Sequence, residues 1–144
     1  MECATPLGVA DVAEERKVVT ALFCDLVAFT NSVESADPED VNRMLGEYSS
    51  MTRSAIESYG GVVEKFIGDA VLGVFGVPAA HEDDPERAVR AGLRIVEAAE
   101  GLRAVGGEPL RVRVGINTSA ASTIKEAPSA RWRTRDSRSY GTRA

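Results

Sequence analysis

Residues 62–75 read VVEKFIGDAVLGVF, two β-rich runs, Val62–Phe66 and Val71–Phe75, separated by Ile67, Gly68, Asp69 and Ala70. Such runs around a Gly-Asp pair predict a β-hairpin with Asp69 at its tip. Gly-Asp is ordinary turn chemistry, because glycine tolerates positive φ and aspartate bonds its own backbone. Asp69 acquires a further meaning only if the fold brings a second functional group to it.

On the N-terminal side the hairpin follows a stretch with strong helix punctuation, residues 37–61. Asp37 can cap it, Pro38 suits the first turn, Glu39 and Asp40 suit the positive helix end, and Gly60 and Gly61 close it. Val41, Met44, Leu45, Tyr48, Met51, Ala55, Ile56 and Tyr59 recur at helical spacing and predict one core-facing side. Before it, VVTALFC (18–24) is a continuous apolar run of strand length that stops at Asp25.

On the C-terminal side, HEDDPERAVRAGLRIVEAAEGLRAVGG (81–107) repeats the cap-then-proline start at Asp84 and Pro85 and ends on Gly106 and Gly107. Its spacing predicts Val89, Leu93, Val96, Ala99 and Leu102 facing inward. Leu110 to Ile116, LRVRVGI, alternates as a half-buried strand should. The order β-α-β-β-α-β predicts an α+β domain of the ferredoxin-like, split βαβ kind, with both helices on one face and the third strand between the first two. Strands one and two then run the same way, so Asp25 and Asp69 leave the sheet at the same edge.

A chain of 144 residues, 44% hydrophobic and 27% charged, suits one globular domain. No apolar run approaches the roughly 20 residues of a membrane helix, and MECATPLGVADVAEERK lacks the apolar centre of a signal peptide. The expectation is a cytoplasmic protein without a membrane segment. Two cysteines, Cys3 and Cys24, fit a reduced compartment, and the single histidine, His81, argues against a His-ligated zinc or a Ser-His-Asp triad.

The net charge is −5, yet Ser119 to Ala144 carries six Arg or Lys against Glu126 and Asp136, so the acidity lies in the first 118 residues. An acidic body argues against nucleic acid as a partner. The expected organisation is an N-terminal linker, 1–16, a domain at 17–118, and a basic tail, 119–144. That tail is rich in Ser, Thr, Ala and Arg with isolated Ile124, Trp132 and Tyr140, which predicts disorder.

Two carboxylates at one exposed edge repel unless a cation lies between them. Mg²⁺ takes oxygen ligands, often one or two carboxylates, and fills its remaining positions with water and phosphate oxygens. Phosphate chemistry is therefore the leading functional class. DLVAFT, directly after the first strand, offers backbone N–H groups to phosphate oxygens, and no GxxxxGK[ST] loop is present. Lys65 reads on its own as a solvated strand lysine.

VTALFCDLVAFT, VVEKFIGDAVLGVF, HEDDPERAVRAGL and LRVRVGINT together resemble the catalytic domain of class III adenylate and guanylate cyclases, above all bacterial ones, over about residues 17–118. The resemblance implies that Asp25 and Asp69 bind two Mg²⁺ or Mn²⁺ ions with the Leu26 carbonyl as a further ligand. It implies that Phe29 and Thr30 contact the triphosphate and that Lys65 reads the purine, favouring ATP over GTP. It further implies that the ATP 3′-hydroxyl attacks the α-phosphate to give cyclic AMP and pyrophosphate, at sites between two subunits, in a homodimer or a heterodimer with a full-length cyclase. The GGDEF-type hairpin of diguanylate cyclases is absent.

Two departures accompany it. Ala28 stands where family members usually have glycine. After Asn117 the sequence matches neither the family's purine-reading residue nor its helix with the transition-state Asn and Arg, as after a shifted frame or early stop in the coding sequence. The expected consequence is a domain inactive alone; the alternative is a non-catalytic fragment that binds nucleotide or dimerises.

Overall fold

The computed structural model describes residues 14–29, 33–126 and 129–134, with side chains described over 16–29 and 33–121. Its elements are β1 (Glu14–Leu26), α1 (Pro38–Ser58), β2 (Val62–Ile67), β3 (Ala70–Phe75), α2 (Asp84–Ala99), β4 (Val112–Glu126) and β5 (Ser129–Thr134). They form one five-stranded sheet in the order β2-β3-β1-β4-β5. β3 is antiparallel to both β1 and β2, so β1 and β2 run the same way. The split βαβ arrangement expected from the sequence is present.

α1 starts where its punctuation places it. Asp37 is extended (φ −65°, ψ 129°) and its carboxylate accepts from the Glu39 N–H at 2.8 Å, satisfying one of the helix's unpaired donors. Its inward side buries Val41, Met44, Tyr48, Ala55 and Ile56 together with Thr52, which the periodicity passed over. The Thr52 hydroxyl donates to the Tyr48 carbonyl at 2.7 Å, so the polar atom is paired and the methyl is free to pack.

The main core lies between the helices and one sheet face, joining Leu22, Cys24, Leu26, Val71 and Phe75 to Met44, Tyr48 and Ile56 of α1 and Ala88, Ala91 and Ile95 of α2. Gly73 makes α1's close approach possible: a Cβ there would lie 2.8 Å from Ile56 Cδ1. On the opposite face Val19, Val74 and Ala121 form a smaller cluster with Leu72 and Val77.

The structure corrects two expectations. The inward side of α2 is Ala88, Ala91, Gly92, Ile95 and Ala99, whereas Val89, Leu93 and Val96 are 47%, 66% and 42% exposed. Small residues let the helix axis lie close to the sheet, and that proximity outweighs the burial of larger side chains one position round. Second, the segment expected to be a disordered tail after residue 118 is sheet through Glu126 and again over Ser129–Thr134. β4 pairs with β1 from Leu26↔Val112 to Glu14↔Ile124, and with β5 from Ala121↔Thr134 to Glu126↔Ser129. The backbone ladder sustains this extension without a run of large apolar residues. By the same pairing β1 begins at Glu14, inside the segment expected to be a linker.

Candidate functional site

The β2–β3 connection is a tight turn through Gly68 and Asp69, with Ile67 paired to Ala70. Gly68 has φ 61°, the left-handed value a type II′ hairpin needs at its first turn position. The β1–β3 register ends at Cys24↔Val71. One further step sets Asp25 opposite Ala70, the neighbour of Asp69. The two aspartates therefore stand at the same end of adjacent strands, both half-buried.

Tyr48 reports on both from below. Its hydroxyl donates to the Cys24 carbonyl at 3.2 Å and to Cys24 Sγ at 3.3 Å, tying α1 to the residue before Asp25. Burial first, then Cys24 and the charges of Asp69 and Asp25, push the phenol well above its ordinary range. Burial pushes the Cys24 thiol up to about 11, so at neutral pH it is a packed, protonated thiol.

The sequence reading missed Arg113. Asp25 and Arg113 are direct partners in the β1–β4 register. The guanidinium donates through Nε to Oδ1 at 3.2 Å and through Nη2 to Oδ2 at 3.0 Å, a bidentate pair on a solvent-exposed edge. The hydrogen bond with Asp25 raises the Arg113 pKa. LRVRVGI alternates as a half-buried strand, but only the strand register shows that Arg113 faces Asp25.

The other expected site residues are distributed as follows. Leu26 ends β1 with its side chain in the helix-side core, so only its backbone is available at the edge. Phe29 packs its ring against the same core. Thr30 lies outside the described residues. Lys65 is exposed on β2 opposite Leu72, which is itself opposite Phe23 of β1. Lys65 thus lies on the helix-free face of the sheet, the face that carries Asp25 and Arg113. Ala28, in the turn after β1, has φ 59° and is the one non-glycine with positive φ among the described residues.

Among the described residues no group of three or more His, Cys, Asp or Glu side chains could hold a metal ion. A cation at the edge would have two carboxylates, a backbone carbonyl and ligands from solvent or substrate. Such an all-oxygen set suits a hard divalent ion and is unsuited to zinc. Among the described residues no helix is long and apolar enough to cross a membrane.

Residues 12–124 match the family model for the adenylate and guanylate cyclase catalytic domain. Adenylate cyclase 1 of Rhizobium meliloti is 34% identical over 110 residues, 74% of this chain and 16% of that protein. The soluble guanylate cyclase subunit beta-2 of Rattus norvegicus is 34% identical over 107 residues, again 74% of this chain and 16% of the relative. The chain thus spans about a sixth of the length of these curated relatives. The crystal structure of the guanylyl cyclase Cya2 superposes with a TM-score of 0.71 at 30% identity, covering 83% of this chain and 64% of that one. With its sheet order, its hairpin and a family match over most of its length, the chain belongs to the adenylate and guanylate cyclase catalytic domain family.

Proposed function

We propose that this domain contributes the metal-binding half of a purine nucleotide cyclase site, with ATP as the favoured substrate. The observation that supports the reading is the register of β1, β3 and β2, which ends at Cys24↔Val71 and Ile67↔Ala70, next to Asp25 and Asp69. Asp25, Asp69 and the Leu26 carbonyl hold the divalent ions, Mg²⁺ or Mn²⁺. Bound there, the ions neutralise charge on the triphosphate and favour ionisation of the 3′-hydroxyl.

The chain's own groups do the rest. Asp25 is held in place by Arg113, and would share its oxygens with a divalent ion bound there. The Arg113 guanidinium would then be a positive charge available to the phosphates, to which planar bidentate donors are suited. The turn after Asp25, including Phe29 and Thr30, presents backbone N–H groups to the triphosphate. Lys65 belongs to the second site of the pair, where it donates to the purine, and a donor there favours adenine. The open face carries exposed Val62 and Ile67 beside Lys65, a surface suited to the second subunit the site requires.

The transition-state Asn and Arg of the family have no match in this sequence, so the partner subunit supplies them. A full-length cyclase whose metal aspartates are mutated is the test partner. Mixing should restore cyclic AMP formation, and restoration should require Asp25 and Asp69 of this chain while tolerating Lys65→Ala, because that lysine belongs to the incomplete second site. Silence from a mixture that demonstrably associates would overturn the shared-site reading.

A further inference from the structure

β1 loses its partner on one side just before the aspartate edge. Its ladder with β3 stops at Cys24↔Val71, whereas its ladder with β4 runs on to Leu26↔Val112. Val27, in the turn that follows, donates its N–H to the Arg111 carbonyl at 2.8 Å, so the chain stays tied on the β4 side. Backbone groups of an extended strand alternate between its two neighbours. With Val27 turned to β4, Leu26 and Cys24 turn their carbonyls to the β3 side. The Leu26 carbonyl therefore lies two residues beyond the Cys24 carbonyl on the same side of β1, past the last β3 pair.

Tyr48 reaches this point from α1. Its hydroxyl donates to the Cys24 carbonyl at 3.2 Å and to Cys24 Sγ at 3.3 Å, one proton shared between two acceptors. Tyr48 and Cys24 are each 1% exposed, so solvent does not reach the carbonyl to replace the phenol. The ring belongs to the main core, and the phenol also lies within electrostatic reach of Asp69 and Asp25. Phenylalanine would fill nearly the same volume without burying a polar group, and a hydroxyl buried to this degree costs stability unless it is bonded. The bond it makes is to the backbone of the strand end that carries Asp25.

We infer that Tyr48 is a positioning residue for the metal edge: its hydroxyl fixes the Cys24 carbonyl, and through that peptide the direction in which Asp25 and the Leu26 carbonyl leave β1. The inference rests on the metal-site reading of Asp25 and Asp69. Tyr48 acts through Cys24 and is not itself a ligand. It ties α1 to the end of β1 where the β3 ladder no longer does.

The test uses Tyr48→Phe, which keeps the ring and removes the hydroxyl. Its control is Thr52→Val, which deletes another buried hydroxyl of the same helix, one bonded within α1. Two readouts are taken: Mn²⁺ binding by electron paramagnetic resonance, and amide hydrogen exchange of the metal-free chain by NMR. Tyr48→Phe should weaken Mn²⁺ binding by about three- to ten-fold, since one hydrogen bond behind the ligands is lost and no ligand is removed. It should also speed exchange of the Val27 amide by about five-fold relative to amides in the middle of β1. Thr52→Val should lower the urea midpoint and leave both readouts at their wild-type values. Wild-type Mn²⁺ affinity in folded Tyr48→Phe overturns the proposal, and so does an equal loss in Thr52→Val, which would make the effect one of stability alone. Equal Mn²⁺ binding by the wild type and by Asp25→Asn plus Asp69→Asn would instead overturn the metal reading. The exchange readout, taken without metal, then still decides whether Tyr48 holds the strand end, and an unchanged Val27 rate overturns that hold.

Discussion

Both carboxylate oxygens of Asp25 are occupied by one side chain, Arg113, whose Nε and Nη2 lie 3.2 and 3.0 Å from them across the β1–β4 ladder. A cation binding at Asp25 competes with this guanidinium. Arg113→Ala should therefore tighten Mg²⁺ binding in the absence of nucleotide by about two- to five-fold, the small factor reflecting an exposed pair screened by solvent. With nucleotide present the same variant should lower triphosphate affinity, since a positive charge is lost from the phosphate site. Calorimetric titrations with Mg²⁺ alone and with ATP analogue plus Mg²⁺ separate the two effects; a variant unchanged in both would remove Arg113 from the site.

Ala28 holds φ 59° in the turn that follows Asp25. A left-handed residue with a Cβ costs roughly 1–2 kcal/mol, part of which glycine returns through its greater freedom in the unfolded chain. Ala28→Gly should raise stability by about 0.5–1 kcal/mol, read as a higher urea midpoint at unchanged m-value. A fall in stability would mean that the Ala28 methyl does more for this turn than its conformation costs.

Gly73 lies under Ile56, and an added Cβ would sit 2.8 Å from Cδ1 and 3.2 Å from Cγ2 of that side chain. Gly73→Ala should destabilise the domain by about 1–3 kcal/mol through overpacking. The double variant with Ile56→Val should recover part of the loss, since it removes Cδ1, the atom nearest the added Cβ. Urea unfolding of the two variants checks both statements.

The hairpin was legible because Gly68 and Asp69 sit between two β-rich runs, and α1 because Asp37, Pro38 and the glycine pair bracket a clear 3.6-residue pattern. From these the strand order followed, and with it the common edge of Asp25 and Asp69. The inward side of α2 was not legible: Val89, Leu93 and Val96 have helical spacing as good as that of Ala88, Ala91 and Ile95. Which stripe is buried is decided by how closely the helix lies on the sheet, a tertiary property. Arg113 was invisible for a related reason, since its partner is 88 residues away and only the register joins them. The strand beyond Ser119 was hidden because a backbone ladder carries it, and composition speaks to side chains.

Alone, the chain should show little or no cyclase activity with ATP or GTP in the presence of Mg²⁺ or Mn²⁺, because no helix with the expected Asn and Arg is matched in its sequence. Product formation that disappears in Asp25→Ala would show that this chain's own residues complete the site.

The central claim is that Asp25 and Asp69 together hold divalent ions, and Mn²⁺ binding followed by electron paramagnetic resonance addresses it without a partner or a nucleotide. The wild-type chain should bind Mn²⁺ weakly and saturably, with most of that binding lost in Asp25→Asn plus Asp69→Asn and a smaller loss in each single variant. Equal binding by the double variant would contradict the account and return Asp69 to the chemistry of an ordinary β-turn.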